Sequence, residues 1–164
     1  MPLNIGSSAI SKLYVGSSAV DKLYLGSNEV WSSFTEQGIV KSGAQDVGYF
    51  SWVPVEPMII SAPYPSTSMS GNGIVIKANV TVLISAAVMR NGTNGGNKAR
   101  IMNAQGAVLS ELGGGGTITF APFTYTPTVD TVISLTAYAS SGLGGNPTIP
   151  NDAGTHLTIK APVT

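Results

Sequence analysis

The sequence predicts an all-β protein, and three of its features support this prediction. Residues 73–89 alternate between apolar and mostly polar side chains, which is the two-residue period of a strand with one buried face. Shorter runs rich in β-branched and aromatic residues are separated by turns rich in glycine and asparagine. No run has the apolar period of 3.6 residues that a helix would show. About eight strands in the main part of the chain predict an antiparallel sandwich or barrel.

The charge content of the chain favours association with protein rather than with polyanions. Charged residues make up only 10% of the 164 residues, and eight basic side chains balance eight acidic ones. Without a basic field, nucleic acid and anionic lipid are poor partners. Weak self-repulsion instead favours self-association. We therefore expect no nucleic acid and no membrane partner, and we expect copies of the same chain to bind one another.

The chain contains no cysteine, which excludes disulfides and cysteine-ligated zinc. Its first residues, MPLNIG, have neither the basic nor the apolar region of a signal peptide. No run of about 18 apolar residues is present to span a membrane. We expect synthesis in the cytoplasm, and an exit from the cell that depends on lysis.

Residues 3–31 contain three copies of a ten-residue repeat. Each copy begins with leucine, continues with glycine and serine, and then reaches a β-branched residue; the glycines are Gly6, Gly16 and Gly26. This pattern predicts a short strand, a Gly-Ser turn and a second short strand. One unit cannot bury its own apolar side, whereas stacked units or neighbouring chains can bury it. We expect 1–32 to form an intertwined β-stalk; the alternative is a small meander packed on the main domain.

The contacts of this stalk are expected from the second and third copies of the repeat. They supply the apolar and aromatic side chains Leu13, Tyr14, Val15, Leu23, Tyr24, Leu25 and Trp31. Two functions are open for the aromatic residues in the first third of the chain. They anchor contacts between chains, where aromatics are enriched, or they stack on sugars of a glycan.

After the repeat, 33–46 is polar and predicts a connector, and 47–164 predicts the main domain. We expect a first strand at 47–52, little regular structure in the proline-rich segment 53–70, and an edge strand at Met58–Ile60 within it. The 73–89 run is too long for one ordinary strand, so a bulge, a bend or a break is expected there. The remaining strands are predicted at 98–102, 107–112, 117–120, 123–125, 131–139 and 155–160.

Side chains that carry chemistry are scarce. The single histidine, His156, has only Asp152 as a nearby acid in sequence, which favours a surface or interface histidine over a metal ligand. Most of the eight carboxylates fall at turns, where they usually cap the backbone rather than act as a catalytic pair. No glycine-rich stretch has the Gly-Lys-Ser/Thr of a phosphate loop. We predict no enzyme, no metal and no cofactor.

Ligand recognition, if the domain has it, is expected in loops on the rigid β scaffold. The loops at 91–97, 113–116 and 140–154 are the candidates. Their asparagines and glycines give the candidate receptor-facing positions Asn91, Asn94, Gly114, Gly144, Asn146 and Asn151.

Two resemblances add a function to this outline. The run LYVGSSAVDKLYLGSNEVW, which ends at Trp31, resembles the amino-terminal repeat of minor tail and related virion proteins of phages that infect actinobacteria. The long strand at 73–89 together with VDTVISLTAY and GTHLTIKA resembles the jelly roll of tumour necrosis factor and complement-type globular heads, over about 38–164. Such domains are characteristically trimers.

Together these resemblances imply a trimeric minor tail or fibre-like protein of a phage virion, attached through its repeat, with the jelly roll facing outward. Its partners would be itself and other virion proteins, and its location the virion. A capsid decoration or head fibre protein at capsomer centres is the alternative. A module that binds a carbohydrate of the host cell wall is a further alternative.

Overall fold

The computed structural model describes residues 4–5, 8–9, 13–15, 17–20, 22–25, 28–32, 34–91, 96–140 and 147–162. Every regular element in these ranges is a β-strand, and all strands pair antiparallel. The prediction of an all-β protein is therefore confirmed. Over the same ranges, no helix exists that has the length and apolarity to cross a membrane.

Each copy of the ten-residue repeat folds into its own two-stranded hairpin. The pairs are β1 (Asn4–Ile5) with β2 (Ser8–Ala9), β3 (Leu13–Val15) with β4 (Ser18–Val20), and β5 (Lys22–Leu25) with β6 (Asn28–Ser32). Next to the turn the three hairpins share one register, in which Asn4 faces Ala9, Tyr14 faces Ala19 and Tyr24 faces Glu29. The third hairpin then has a register shift between Leu23 and Tyr24. A two-residue connection of constant sequence, Gly-Ser, accounts for the constant register. The predicted strand–turn–strand unit is confirmed.

Thirteen further strands in the described residues build the main domain. In chain order they are β7 (Gln37–Lys41), β8 (Gln45–Asp46), β9 (Trp52–Pro54), β10 (Met58–Ile60), β11 (Met69–Ser70), β12 (Gly73–Ile76), β13 (Val82–Val88), β14 (Lys98–Asn103), β15 (Val108–Gly113), β16 (Ile118–Tyr125), β17 (Thr131–Tyr138), β18 (Thr148–Ile149) and β19 (His156–Lys160). One sheet has the order β10-β7-β19-β13-β16. The other has the order β11-β12-β17-β14-β15, with β9 also paired to β17, while β8 and β18 form a small separate ribbon.

The strand pairing of the main domain is nested. The first long strand, β7, pairs with the last, β19; β12 pairs with β17, β13 with β16, and β14 with β15. Each successive pair lies inside the one before it in sequence, and the pairs alternate between the two sheets. The chain therefore wraps around the core as one long folded hairpin.

The core lies between the two sheets. Alternate residues of each strand are buried, as in β17 and β19, where every second side chain is inaccessible to solvent. The largest fully buried side chains come from both sheets: Phe120, Ile39, Ile74, Ile84, Ile101, Ile133, Leu135, Leu157 and Ile159. Two antiparallel sheets that share one apolar core form a β-sandwich.

The long alternating run is broken, as expected for its length. Its first part is β12 and its second part is β13, and the two lie in different sheets. Asn79, at the break, has a positive φ of 60°. A register shift between Ile84 and Ala86 places a bulge in the partner strand β16, where Ala121 and Pro122 lie opposite Ser85 of β13. The apolar alternation continues through the break because both halves face the same core from opposite sides.

Several boundaries differ from the predicted ones. The segment 33–46, expected as a connector, contains β7, which lies between β10 and β19 in its sheet. The strand expected at 47–52 is instead β9, which extends to Pro54, and the segment 140–154, expected as a loop, contains β18. Pro54 is tolerated because β9 pairs with β17 alone and so has a free edge. The two strands expected at 117–120 and 123–125 are one strand, β16.

Candidate functional site

Three loops that the sequence singled out meet at one end of the sandwich, here called the loop end. The amide of Gly114 donates to the carbonyl of Asn97 at 2.9 Å, and the amide of Ser140 donates to Gly96 at 3.3 Å. The amide of Asn91 donates to Thr148 at 2.9 Å. These contacts join the ends of the loops at 91–97, 113–116 and 140–154.

Three of the six predicted receptor-facing positions lie in the described part of the chain. Asn91 is exposed, and Gly114 has open space around its α-carbon. Asn151 is exposed too, but its side-chain oxygen accepts a hydrogen bond from the amide of Gly43 at 2.8 Å. Its side chain therefore fixes one loop to another. Asn94, Gly144 and Asn146 lie outside the described residues.

The chain enters and leaves the sandwich at the opposite end. Glu36, just before β7, forms an ion pair of 3.8 Å with Lys160, the last residue of β19. Lys77 and Asp130, in the two turns at the same end, form a second ion pair of 2.7 Å. The repeat therefore joins the main domain at the end that lies away from the loop end.

A cleft of about 370 Å³ opens on the outer face of the six-stranded sheet, beside the loop end. Its lining residues are Trp52, Gly96, Lys98, Arg100, Tyr138 and Ser140. Three of them form one row across the sheet, because Trp52 faces Tyr138 and Tyr138 faces Lys98. Gly96 is required at its position, since a side chain there would collide with the hydroxyl of Ser140.

The aromatic and cationic side chains of the cleft hold one another in place. The guanidinium of Arg100 lies 3.7 Å from the centre of the Trp52 ring, and the rings of Trp52 and Tyr138 are 5.3 Å apart. Cation–π contact of this kind favours a fixed guanidinium. Glu111 on the neighbouring strand binds Arg100 Nε at 2.7 Å and Lys98 Nζ at 3.3 Å. The hydrogen bond from Arg100, reinforced by Lys98, lowers the pKa of the Glu111 carboxyl.

Phe50 lies next to the cleft in sequence and in space. Its side chain is 66% exposed, and its backbone has a positive φ of 59°, which is uncommon for a bulky residue. The amide of Phe50 donates to the carbonyl of Ala139 at 2.8 Å, next to Ser140 of the cleft. An exposed aromatic ring held in a strained backbone conformation is a feature of binding sites.

A buried cation lies behind the wall of the cleft. Arg90 is 3% exposed, and its Nη2 donates weakly to Asn97 Oδ1 and to the carbonyl of Tyr138, both at 3.4 Å. Among the described residues, Nε and Nη1 of Arg90 and Nδ2 of Asn97 have no hydrogen-bond partner. Burial lowers the pKa of Arg90. The region therefore holds three buried N–H donor atoms for which the described part of the chain supplies no acceptor.

The predicted contact residues of the repeat are described only in part. Leu13 and Leu23 are half-buried and face Val20 and Trp31 across their hairpins, and Val15 is 72% exposed. Tyr14, Tyr24, Leu25 and Trp31 lie on their predicted strands, but their side chains are outside the described part. Their role in attachment stays a prediction.

His156 lies on the outer face of the five-stranded sheet, half-buried between Val40 and Ala87 on the neighbouring strands. Among the described residues, no group of three or more histidine, aspartate or glutamate side chains is arranged to hold a metal ion.

The aromatic residues of the first third of the chain, which include Phe50 and Trp52, were expected to make contacts, but the partners of these two were not predicted. Lys98, Arg100 and Tyr138 looked like ordinary outward residues of two strands. A signal was present in the alternation of Lys98 and Arg100 on one strand and the acid Glu111 on the next, because cross-strand charges of opposite sign tend to pair. Arg90 gave no signal, since burial is decided by contacts distant in sequence.

Comparison with known proteins does not assign the chain to a family. No family model and no curated protein sequence matches it.

Proposed function

We propose that the protein is a structural component of a phage virion, a trimeric minor tail or fibre-like protein whose main domain faces outward. The observation that carries this proposal is that the chain enters the sandwich from the side of the repeat at the end opposite the loop end. In this proposal, the repeat attaches the protein to the particle at one end, and the loop end faces the solvent. The resemblance of LYVGSSAVDKLYLGSNEVW to virion repeats supplies the setting.

The nested strand pairing supports a jelly roll as the finer description of the sandwich. In an eight-stranded jelly roll, two Greek keys are wrapped into a double sheet. The eight strands β7, β12, β13, β14, β15, β16, β17 and β19 pair first with last, second with seventh, third with sixth and fourth with fifth. The remaining short strands lie at the edges or in the loops.

The five-stranded sheet offers the face for a trimer. Its outward side chains include Val40, Ile59, Leu83, Ser85 and Ala87. Among the described residues of this sheet, Lys160 is the one charged side chain that points outward; it lies at one corner and pairs with Glu36. Depletion of charge marks the central part of protein–protein interfaces. The other sheet carries Lys98, Arg100 and Glu111 outward and is less suited to self-association.

The repeat is the attachment segment in this proposal. Each hairpin has only two strands, and an isolated two-stranded hairpin is marginally stable in water. The hairpins therefore gain stability when they pack on another surface, whether neighbouring chains or a particle protein.

The test of location is gold labelling of intact particles with antibodies against residues 34–164. Label at the tail supports the proposal. Label spread over the head would instead favour a capsid decoration protein. The absence of label from all particles would contradict a virion role.

The test of attachment is deletion of 1–33. This cut keeps Phe34, which packs against the core of the sandwich. The truncated protein should remain folded and trimeric yet fail to enter particles. Normal incorporation of the truncated protein would show that the repeat is not the attachment segment.

A further inference from the structure

We infer that the cleft between Trp52, Lys98, Arg100 and Tyr138 binds a sugar unit that carries a negative charge, as a carboxylate or a phosphate. The aromatic rings meet the apolar face of the sugar, and the cations meet its charge. The inference rests on the proposed function only for the source of the sugar, which would be the surface that the outward end of the virion meets.

The size of the cleft fits a small ligand. Ligand pockets in proteins range from about 300 to 1,000 Å³. The volume of about 370 Å³ lies at the lower end of that range and suits one or two sugar rings. The hydroxyl of Ser140 adds a polar group to the lining.

The charge around the cleft points to an anion. Three of the eight basic residues of the chain, Arg90, Lys98 and Arg100, fall within 90–100. Glu111 is the acid that binds two of them, so the group keeps an excess of positive charge. Asp46 and Asp152 also lie at the loop end, but neither lines the cleft. Lys98 has a side chain that is 50% exposed and further N–H groups to donate.

The buried donors behind the cleft are a second, independent observation. Arg90 and Asn97 adjoin the wall of the cleft through Gly96 and Tyr138. Neither residue lines the cleft and their unpartnered N–H groups are buried, so they act on a ligand in the cleft through charge and not through direct hydrogen bonds. Among the described residues Arg90 has no paired acid, so it adds a weakly screened positive potential at this place.

A sugar fits these groups better than a nucleic acid does. A single strand of nucleic acid is held by a basic groove that follows several phosphates. Here the two cations of the cleft, Lys98 and Arg100, share one carboxylate, and the chain has no net charge. The site therefore suits one charged group beside aromatic rings.

The test is a titration of the purified full-length protein followed by amide chemical shifts of Gly96, Lys98, Tyr138 and Ser140. The probes are glucuronate, glucose 6-phosphate, glucose, inorganic phosphate and a short single-stranded oligonucleotide. We expect saturable shifts with glucuronate or glucose 6-phosphate, and affinity at least about tenfold weaker for glucose and for phosphate alone. Whichever of the two charged sugars binds more tightly identifies the charged group.

Substitutions of residues that line the cleft test whether the charged sugar binds there. Lys98→Gln and Trp52→Ala should each weaken binding of the charged sugar by about tenfold or more. Lys77→Gln is the matched control, because it removes an exposed lysine at the opposite end and should leave binding unchanged. If Trp52→Ala does not fold, Lys98→Gln with Lys77→Gln still decides the question.

Four results would overturn the inference: equal binding of glucose and charged sugars, equal binding of inorganic phosphate alone, preference for the oligonucleotide, or no shift with any probe. Each result is independent of gold labelling on particles, so a failed ligand inference and a failed virion proposal are distinguishable.

Discussion

Asp130 and Lys77 form an ion pair, with 2.7 Å between Oδ2 and Nζ, at the place where the long alternating segment leaves one sheet for the other. The second carboxylate oxygen accepts a hydrogen bond from the amide of Ala78 at 2.9 Å. One side chain from the turn before β17 therefore fixes both a side chain and the backbone of the break between β12 and β13.

This arrangement predicts a dependence of stability on pH. The hydrogen bonds from Lys77 and Ala78 lower the pKa of Asp130 below its ordinary value. A carboxyl with a lowered pKa stabilises the fold above its unfolded pKa, near about pH 4, and that stabilisation disappears as the pH falls through the folded pKa. The melting temperature of Asp130→Asn should be lower than that of the wild type at pH 7. The difference should shrink towards about pH 2.

Glu36→Gln is the control for charge, because it removes the longer ion pair with Lys160 at the same end. At pH 7 it should lower the melting temperature less than Asp130→Asn does. A constant difference between the wild type and Asp130→Asn across the whole pH range would contradict the linkage.

Gly73 predicts a second effect on stability. A side chain at Gly73 would approach Val132 Cγ1 to 2.5 Å and the carbonyl oxygen of Ile133 to 2.6 Å. Because the second atom belongs to the backbone of the paired strand β17, it cannot move aside by rotation. Gly73→Ala should cost about 1–3 kcal/mol of unfolding free energy, measured by urea titration.

Gly114→Ala is the matched change, since open space surrounds Gly114. It should change stability by less than about 0.5 kcal/mol. Equal effects of the two substitutions would show that the close approach at Gly73 is relaxed in solution.

The trimer proposal predicts that a glutamate disrupts the trimer in place of one outward-facing serine but not in place of another. Ser85 is half-buried on the outer face of the five-stranded sheet, where its hydroxyl lies 2.6 Å from that of Thr158. Ser85→Glu places a charge on the proposed interface and should convert trimers to monomers in analytical ultracentrifugation. Ser134→Glu makes the same change on the outer face of the other sheet and should leave the trimer intact. If Ser134→Glu dissociates the trimer and Ser85→Glu does not, the chains associate through the other sheet.

Replacing each of two buried cations, Lys41 and Arg90, should change stability in different directions. Lys41 is 3% exposed and donates from Nζ to the carbonyls of Gly43 and Ser42, at 2.5 and 3.3 Å. Arg90 is equally buried but leaves Nε and Nη1 without partners. Lys41→Met should therefore cost about 1–3 kcal/mol, because two carbonyls lose their donor. Arg90→Met should be neutral or raise stability by up to about 2 kcal/mol, because it removes a poorly paired buried charge.

Urea titrations of both methionine variants, without added sugar, measure this difference. A large loss of stability in Arg90→Met would mean that the arginine is better paired in solution than its described contacts indicate.

The alternation of apolar and polar residues predicted the strands in which every second side chain is buried in the core. The alternation of β17 and β19 is fixed within a few residues, and the structure has both strands near their predicted places. β7 was missed because its sequence does not alternate cleanly. Gly38 lies where a side chain would strike the ring of Tyr64, and Lys41 is a buried cation that donates to the carbonyl of Gly43. The exception at Gly38 depends on a segment that follows later in the chain.

The candidate site was predictable as a set of loops but not as a cleft. Loops between strands gather at the ends of a sandwich, so 91–97, 113–116 and 140–154 were expected to expose their residues. The cleft itself requires Trp52 to lie next to Tyr138, and Tyr138 next to Lys98. Those neighbours follow from the order of strands in the sheet, which turn chemistry and alternation do not determine.

The nested pairing also governs when the domain can fold during its synthesis. Ile39 of β7 pairs with Leu157 of β19, so the first strand of the main domain cannot complete its pairing until the last strand has been synthesised. Pairing between segments so distant in sequence is slow to form. A ribosome that stops before β19 would release a chain with β7 and β13 both open at one side, each exposing backbone groups to other chains. In the described residues of the repeat, the strands of each hairpin pair with one another, so each hairpin can form as soon as it leaves the ribosome.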